Sequence, residues 1–140
     1  MLDPQAQTGV SGPAVQRAAD AMLRALGGDQ ITLLFPLITL PNDPSAQLGM
    51  VDPGVEEVLF GPVVIRNLVV PSSGPRRRLE FLLSGSAVTA ELAARNVTSA
   101  QDLFDSALGV MYDGQLFHID GITTEYFAGA AYLYRLVGVE

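Results

Sequence analysis

A small, mainly β (α+β) domain is the fold class this sequence predicts: a β-barrel or sandwich of about six strands with an N-terminal helix and short mid-chain helices. Three observations predict it. Asp113-Gly114 stands between two apolar runs, the strongest short-range hairpin signal. From Gln30 onward, runs of β-branched and bulky residues alternate with Pro- and Gly-rich breaks. The clearest helical stripe lies near the start, with Val15, Ala18, Ala19, Met22, Leu23 and Leu26 at i, i+3, i+4, i+7, i+8 and i+11.

The elements follow in order. Residues 1–12 are polar and Gly-rich and read as a flexible arm, ahead of a single β-barrel domain over 13–140. Pro13 opens a helix that Gly27-Gly28 ends. Its Val15, Ala19, Met22 and Leu26 face is expected to be buried, against the rest of the domain or a neighbouring subunit. Residues 30–40 read as a strand in which Pro36 implies an edge or a bulge. Residues 41–57 are rich in Pro, Asp and Gly and read as one long loop, of a length that is usually functional or ordered by a partner. Strand signals resume at Val58-Leu59-Phe60, Val63 to Arg66 and Leu68 to Val70, and again from Arg78 to Leu83, with a turn at Pro71 to Pro75 between them. Ser86 is expected to cap a short helix that turns Val88 and Leu92 inward. A second follows, capped by Thr98 or Ser99, where Ser99-x-x-Asp102 resembles a capping box, and its Leu103, Phe104 and Leu108 face the core. The C-terminal third predicts a three-stranded meander over 109–139, with a turn at Asp113-Gly114, strand runs at Gln115 to Ile119 and Ile122 to Phe127, a second turn at Gly129 and a final strand from Tyr132 to Val139.

Composition excludes several classes of function. The 140 residues contain no Cys, which rules out disulfides, thiolate metal sites and a thiol nucleophile. No apolar run approaches the ~20 residues of a spanning helix, and Met1-Leu2-Asp3-Pro4 does not read as the start of a signal peptide. The net charge is −7, and all eight Lys/Arg positions are Arg, a poor basis for gripping nucleic acid. The charged fraction, 16%, lies below the ~25% usual for soluble domains, a first hint that part of the surface is covered by a partner.

Searching for chemistry yields little. No phosphate-binding loop, dinucleotide fingerprint or nucleophile elbow occurs. His118 is the only histidine and stands in a hairpin strand, where an exposed side chain is ordinary. Asp113, Asp120 and Glu125 could form a carboxylate pair or hold a divalent ion, but turn chemistry and strand ends already account for them. Ser86 and Ser99 are better read as helix caps than as nucleophiles. No catalytic, cofactor or metal site is therefore assigned. Two clusters suggest contacts instead. Arg76-Arg77-Arg78, at a hairpin tip or the start of a strand, suits DNA phosphate or a partner carboxylate, or simply discourages edge pairing. Leu48, Met50, Val51 and Val55, with Glu56 and Glu57, form an apolar and acidic group unusual for a solvated loop. They are expected, with the arm 1–12, to join subunits.

The order of these elements resembles a known family. Gly109-Val-Met-Tyr-Asp-Gly-Gln-Leu-Phe-His-Ile-Asp-Gly-Ile122, then Phe127-Ala-Gly and Tyr132-Leu-Tyr-Arg-Leu136, resemble the closing hairpins of phage head–tail connector (neck) proteins of the stopper or head-completion type. The Ala-rich helix running into Ile31-Thr-Leu-Leu, and the segment from Leu48 to Arg66, also look like prophage proteins of this kind. The mid-chain helices depart from the shorter mid-section common there. The resemblance implies a homo-oligomeric ring of about six or twelve copies, stacked on a portal or adaptor protein and on tail proteins. DNA would pass through without sequence-specific binding. It implies no cofactor, no membrane and no catalysis, and a place in the virion neck after assembly in the bacterial host cytoplasm. Two other classes remain open: a small-ligand binding module with a barrel pocket lined by Phe81, Tyr112, Phe117 and Tyr132, and an enzyme using Asp113, Asp120 and His118.

Overall fold

The computed structural model describes residues 11–37, 54–68 and 76–140 of the chain. Helix α1 (Gly12–Ala25) precedes strands β1 (Asp29–Pro36), β2 (Val55–Leu68) and β3 (Arg78–Ser84). Two short helices follow, α2 (Gly85–Arg95) and α3 (Ala100–Asp105), and then β4 (Gly109–Tyr112), β5 (Gln115–Phe127) and β6 (Ala130–Val139). The strands close into an antiparallel barrel in the order β1-β2-β3-β6-β5-β4. The final meander β4-β5-β6 is as expected, and β4 returns to pair with β1 through Thr32↔Met111 and Leu34↔Gly109.

Alternation builds the interior. Ile31, Leu33 and Phe35 of β1 point inward and are buried, and so do Leu79, Phe81 and Leu83 of β3 and Tyr134 and Leu136 of β6. Phe81 is fully buried and meets Phe117 edge-to-face, with ring centroids 6.0 Å apart. The opposite set of side chains, Thr32 and Leu34 on β1 or Arg135 and Val137 on β6, forms the outer wall.

The hairpin turns explain their residues. Asp113 and Gly114 both have positive φ, 51° and 75°, the combination a type I′ turn requires. Ala128 and Gly129 repeat it at the β5–β6 turn, with φ 49° and 76°. Two strands run longer than the sequence suggested. β2 is continuous through Gly61-Pro62, where it changes neighbours: residues before this point pair mainly with β1 and those after it with β3. β5 is continuous through Asp120-Gly121, because a register shift between Ile119 and Gly121 absorbs the extra residue as a bulge. Pro36 occupies neither an edge nor a bulge; it is the last residue of β1 in a closed barrel.

The loop expected at 41–57 is too long at its end. Val55, Glu56 and Glu57 belong to β2 and pair with Pro36, Phe35 and Leu34. The alternation that continues back from Phe60 carries these residues into the ladder despite the turn-formers before them. Likewise the arm does not extend to residue 12: Ser11 caps α1, accepting a hydrogen bond from the Ala14 N–H at 3.2 Å, and Gly12 is buried. A Cβ at Gly12 would meet that of Ala130 at 2.7 Å, so the close approach to β6 needs glycine.

α1 lies against β6, β3, β2 and α2. Its packed side is not the predicted stripe. Leu23 is buried and Val15 and Ala19 are half-buried, but Met22 and Leu26 are 63% and 65% exposed. The barrel-facing side mixes Leu23 with polar anchors. Gln16 Nε2 donates to the Ala131 carbonyl (2.8 Å), and Asp20 accepts from Ser84 Oγ (2.6 Å) and Ser86 Oγ (2.5 Å). At about 100° per residue, these anchors turn the apolar stripe roughly 80° away from the barrel.

The mid-chain helices bury Val88, Leu103 and Phe104, with Leu92 half-buried, while Leu108 is exposed. The α2 cap is Ser84 rather than Ser86. Ser84 Oγ accepts from the Ala87 N–H (3.2 Å), because β3 runs directly into the helix and its last residue sits at the capping position. Ser99 caps α3 as expected, accepting from the Asp102 N–H at 3.1 Å.

Candidate interaction surfaces

The outer wall has two unlike halves. One runs over β2, β3, β6 and β5 and carries a chain of ion pairs. Arg66 lies 3.3 Å from Glu80, Arg135 lies 3.8 Å from Glu80, and Arg135 Nε lies 3.4 Å from Glu125. The other half is apolar. Leu59, Thr32, Met111 and Leu116 are direct cross-strand partners on β2, β1, β4 and β5, one continuous outward row. Leu59 is 68% and Leu116 40% exposed. Beside it runs a second row, Glu57, Leu34 and Gly109. Leu116 leans over Gly109, where a Cβ would come within 2.8 Å of its Cδ1. Val55, Leu37 and Leu108 are exposed near the margins. The alternation of β1 and β2 makes this wall: a strand apolar on both faces turns one of them to the outside.

Of the residues expected to join subunits, Leu48, Met50 and Val51 lie outside the described residues, as does most of the arm. Val55 and Glu57 point outward at the apolar half. Glu56 is held inside the chain: Arg95 NH2 pairs with it at 2.6 Å while Arg95 Nε pairs with Glu91 at 2.6 Å. The Arg95 guanidinium stacks 4.0 Å over the Phe35 ring. Burial alone would lower the Arg95 pKa, but its hydrogen bonds to Glu91 and Glu56 outweigh that and raise it. Phe35, Pro36, Glu56, Arg95 and Ser106 line a cleft of about 350 Å³ at this end of the barrel.

The arginine run lies at the opposite end and is partly tied down. Arg77 NH1 donates to Gln115 (3.0 Å), and its guanidinium lies 5.8 Å from the Phe117 ring centroid. Arg78 NH1 pairs with Asp120 at 2.7 Å, while its buried Nε has no hydrogen-bond partner. Arg76 is exposed and has no ion pair among the described residues. Arg76, Arg78, His118, Asp120 and Glu140 line an open cleft of about 340 Å³. Sequence spacing could not show this convergence, because it depends on β3 and β5 both lying beside β6. Arg76 is thus the cation left exposed at this cleft, facing the carboxylates of Asp120 and Glu140 across it.

Catalytic groupings are sparse. Asp120 and Glu125 are each engaged by an arginine, and Asp113 sits in its turn. Among the described residues no group of three or more His, Asp or Glu could hold a metal ion. No described helix is long and apolar enough to cross a membrane. Compared with known protein families, curated proteins and solved structures, the chain matches none.

Proposed function

We propose that this chain is a structural subunit of a phage or prophage head–tail interface, forming a ring below the portal that seals the DNA channel or docks the tail. The observation that carries this reading is the apolar outer row Leu59–Thr32–Met111–Leu116, on a barrel whose interior is already filled. Apolar side chains placed outside a packed core mark an interaction surface. Phe81 and Phe117, fully buried, occupy the space a ligand pocket in the barrel would need, which weighs against the binding-module alternative. The succession of helix, β1, long connection and closing meander supports the neck reading, as does the net charge of −7, which would let DNA slide past without holding it.

In this role the chain performs no chemistry and needs no cofactor. The Arg76, Arg77 and Arg78 end would meet a carboxylate of the portal or adaptor protein, or a phosphate of the passing DNA. Deleting the gene from its parent phage or lysogen tests the reading. The expected result is DNA-filled heads without tails, or heads that lose their DNA, with restoration by a plasmid copy. Normal yields of tailed, infectious particles would overturn it.

A further inference from the structure

We propose that copies of this chain join head to tail, the outward face of α1 on one copy seating on the β2–β1–β4–β5 wall of the next. The inference rests on the reading of the chain as a ring subunit and assigns the two surfaces that make the ring. Both are apolar and lack a cover among the described residues. On α1 they are Met22 and Leu26, beside the small residues Ala18, Ala21 and Ala25, which let another backbone surface approach closely. On the wall they are the exposed Leu59 and Leu116, with the half-buried Leu34 and Met111 between them.

Dimensions and charge select this pairing. From Ala14 to Leu26 the helix face runs about 18 Å, at 1.5 Å per residue. From Leu59 to Leu116 the wall crosses three strand spacings, about 14 Å. Arg17 and Arg24 stand on the flank of α1 opposite Met22 and Leu26, exposed and without ion pairs among the described residues. Glu57 stands within the wall beside Leu34, also exposed and without an ion pair among them. Seating helix on wall brings these unmatched charges together. Pairing α1 antiparallel with itself would set arginine against arginine, and pairing two walls would leave Arg17 and Arg24 without a carboxylate. Two different surfaces make a heterologous contact, which closes into a ring or runs on as a filament according to the rotation per copy.

The absence of cysteine provides the test. Met22→Cys chains are mixed with Leu59→Cys chains carrying a mass tag, and the mixture is oxidised. The expected product is a mixed disulfide dimer, several times more abundant than either same-variant dimer. It should also exceed the product from Met22→Cys mixed with Thr123→Cys, a control on the ion-paired half. Adding Arg17→Glu and Arg24→Glu to the first partner should cut the yield by about three- to tenfold. Adding Glu57→Arg to the second should then restore it. A predominance of same-variant dimers, a mixed yield no greater than the control, or indifference to the charge reversals overturns the proposal. These include the cases in which residues 38–53 or a helix of a tail protein cover the wall instead. If tail attachment still fails on gene deletion, the neck reading survives such a result and only the contact surfaces are wrong.

Discussion

The two halves of the barrel's outer wall solve the same problem with different chemistry. Around β3 and β6, alternation places Arg66, Glu80, Arg135 and Glu125 outside, and each finds an opposite charge within the chain. Around β1 and β4 the same alternation places Leu59, Leu34, Met111 and Leu116 outside, and leaves Leu59 and Leu116 exposed. The first half is complete as a solvent-facing surface. The second is mostly apolar, so the chain's low charge is not spread evenly but falls over β1, β4 and the adjoining parts of β2 and β5.

Breaking the ion-paired side should cost stability; breaking the apolar side should cost association. The largest loss is expected at the clamp that holds α1 in place. Asp20→Ala removes the acceptor of both Ser84 and Ser86 and should lower unfolding free energy by about 2–3 kcal/mol, read by urea denaturation. Next, Glu80→Ala leaves Arg66 and Arg135 facing each other without their shared carboxylate. A loss of about 1–2 kcal/mol is expected, partly recovered in 0.5 M salt. Leu59→Ser on the apolar side should change monomer stability by less than about 0.5 kcal/mol while weakening self-association. A drop as large as that of Glu80→Ala would mean that the wall packs within its own chain. The smallest effect concerns Tyr134, whose phenol is held above its ordinary 10.0 by burial and, secondarily, by Tyr126. The unfolded chain therefore loses this proton first as pH rises, so stability falls above about pH 10. Tyr134→Phe should flatten that alkaline fall without altering behaviour at neutral pH.

Much of the fold was legible because it is written locally. Asp113-Gly114 supplies both positive-φ positions of its turn, and Pro13 with Gly27-Gly28 brackets α1. What escaped reading depends on distant partners. Gly61-Pro62 and Asp120-Gly121 look like turns, but in a closing barrel a change of neighbours and a bulge carry the strand through them. The orientation of α1 is not legible because Gln16 and Asp20, polar by sequence, find partners on the barrel-facing side in Ala131, Ser84 and Ser86. The apolar wall was hidden for a related reason. A strand with leucines on both faces signals two covered sides, but not which cover lies outside the chain. Val55 and Glu57, which the sequence marks as candidate contact residues, lie on the outward face of β2 at that wall. Leu59 and Leu116, which expose it most clearly, read in sequence as ordinary strand residues.

Sedimentation equilibrium of the wild-type chain beside a Leu59→Ser/Leu116→Ser variant tests the central claim most directly, with thermal unfolding followed on the same samples. The account predicts a wild-type mass that rises with concentration and a variant that stays monomeric, with melting temperatures agreeing within about 2 °C. Equal masses for the two chains, or a variant that melts well below the wild type while losing nothing in association, would contradict it.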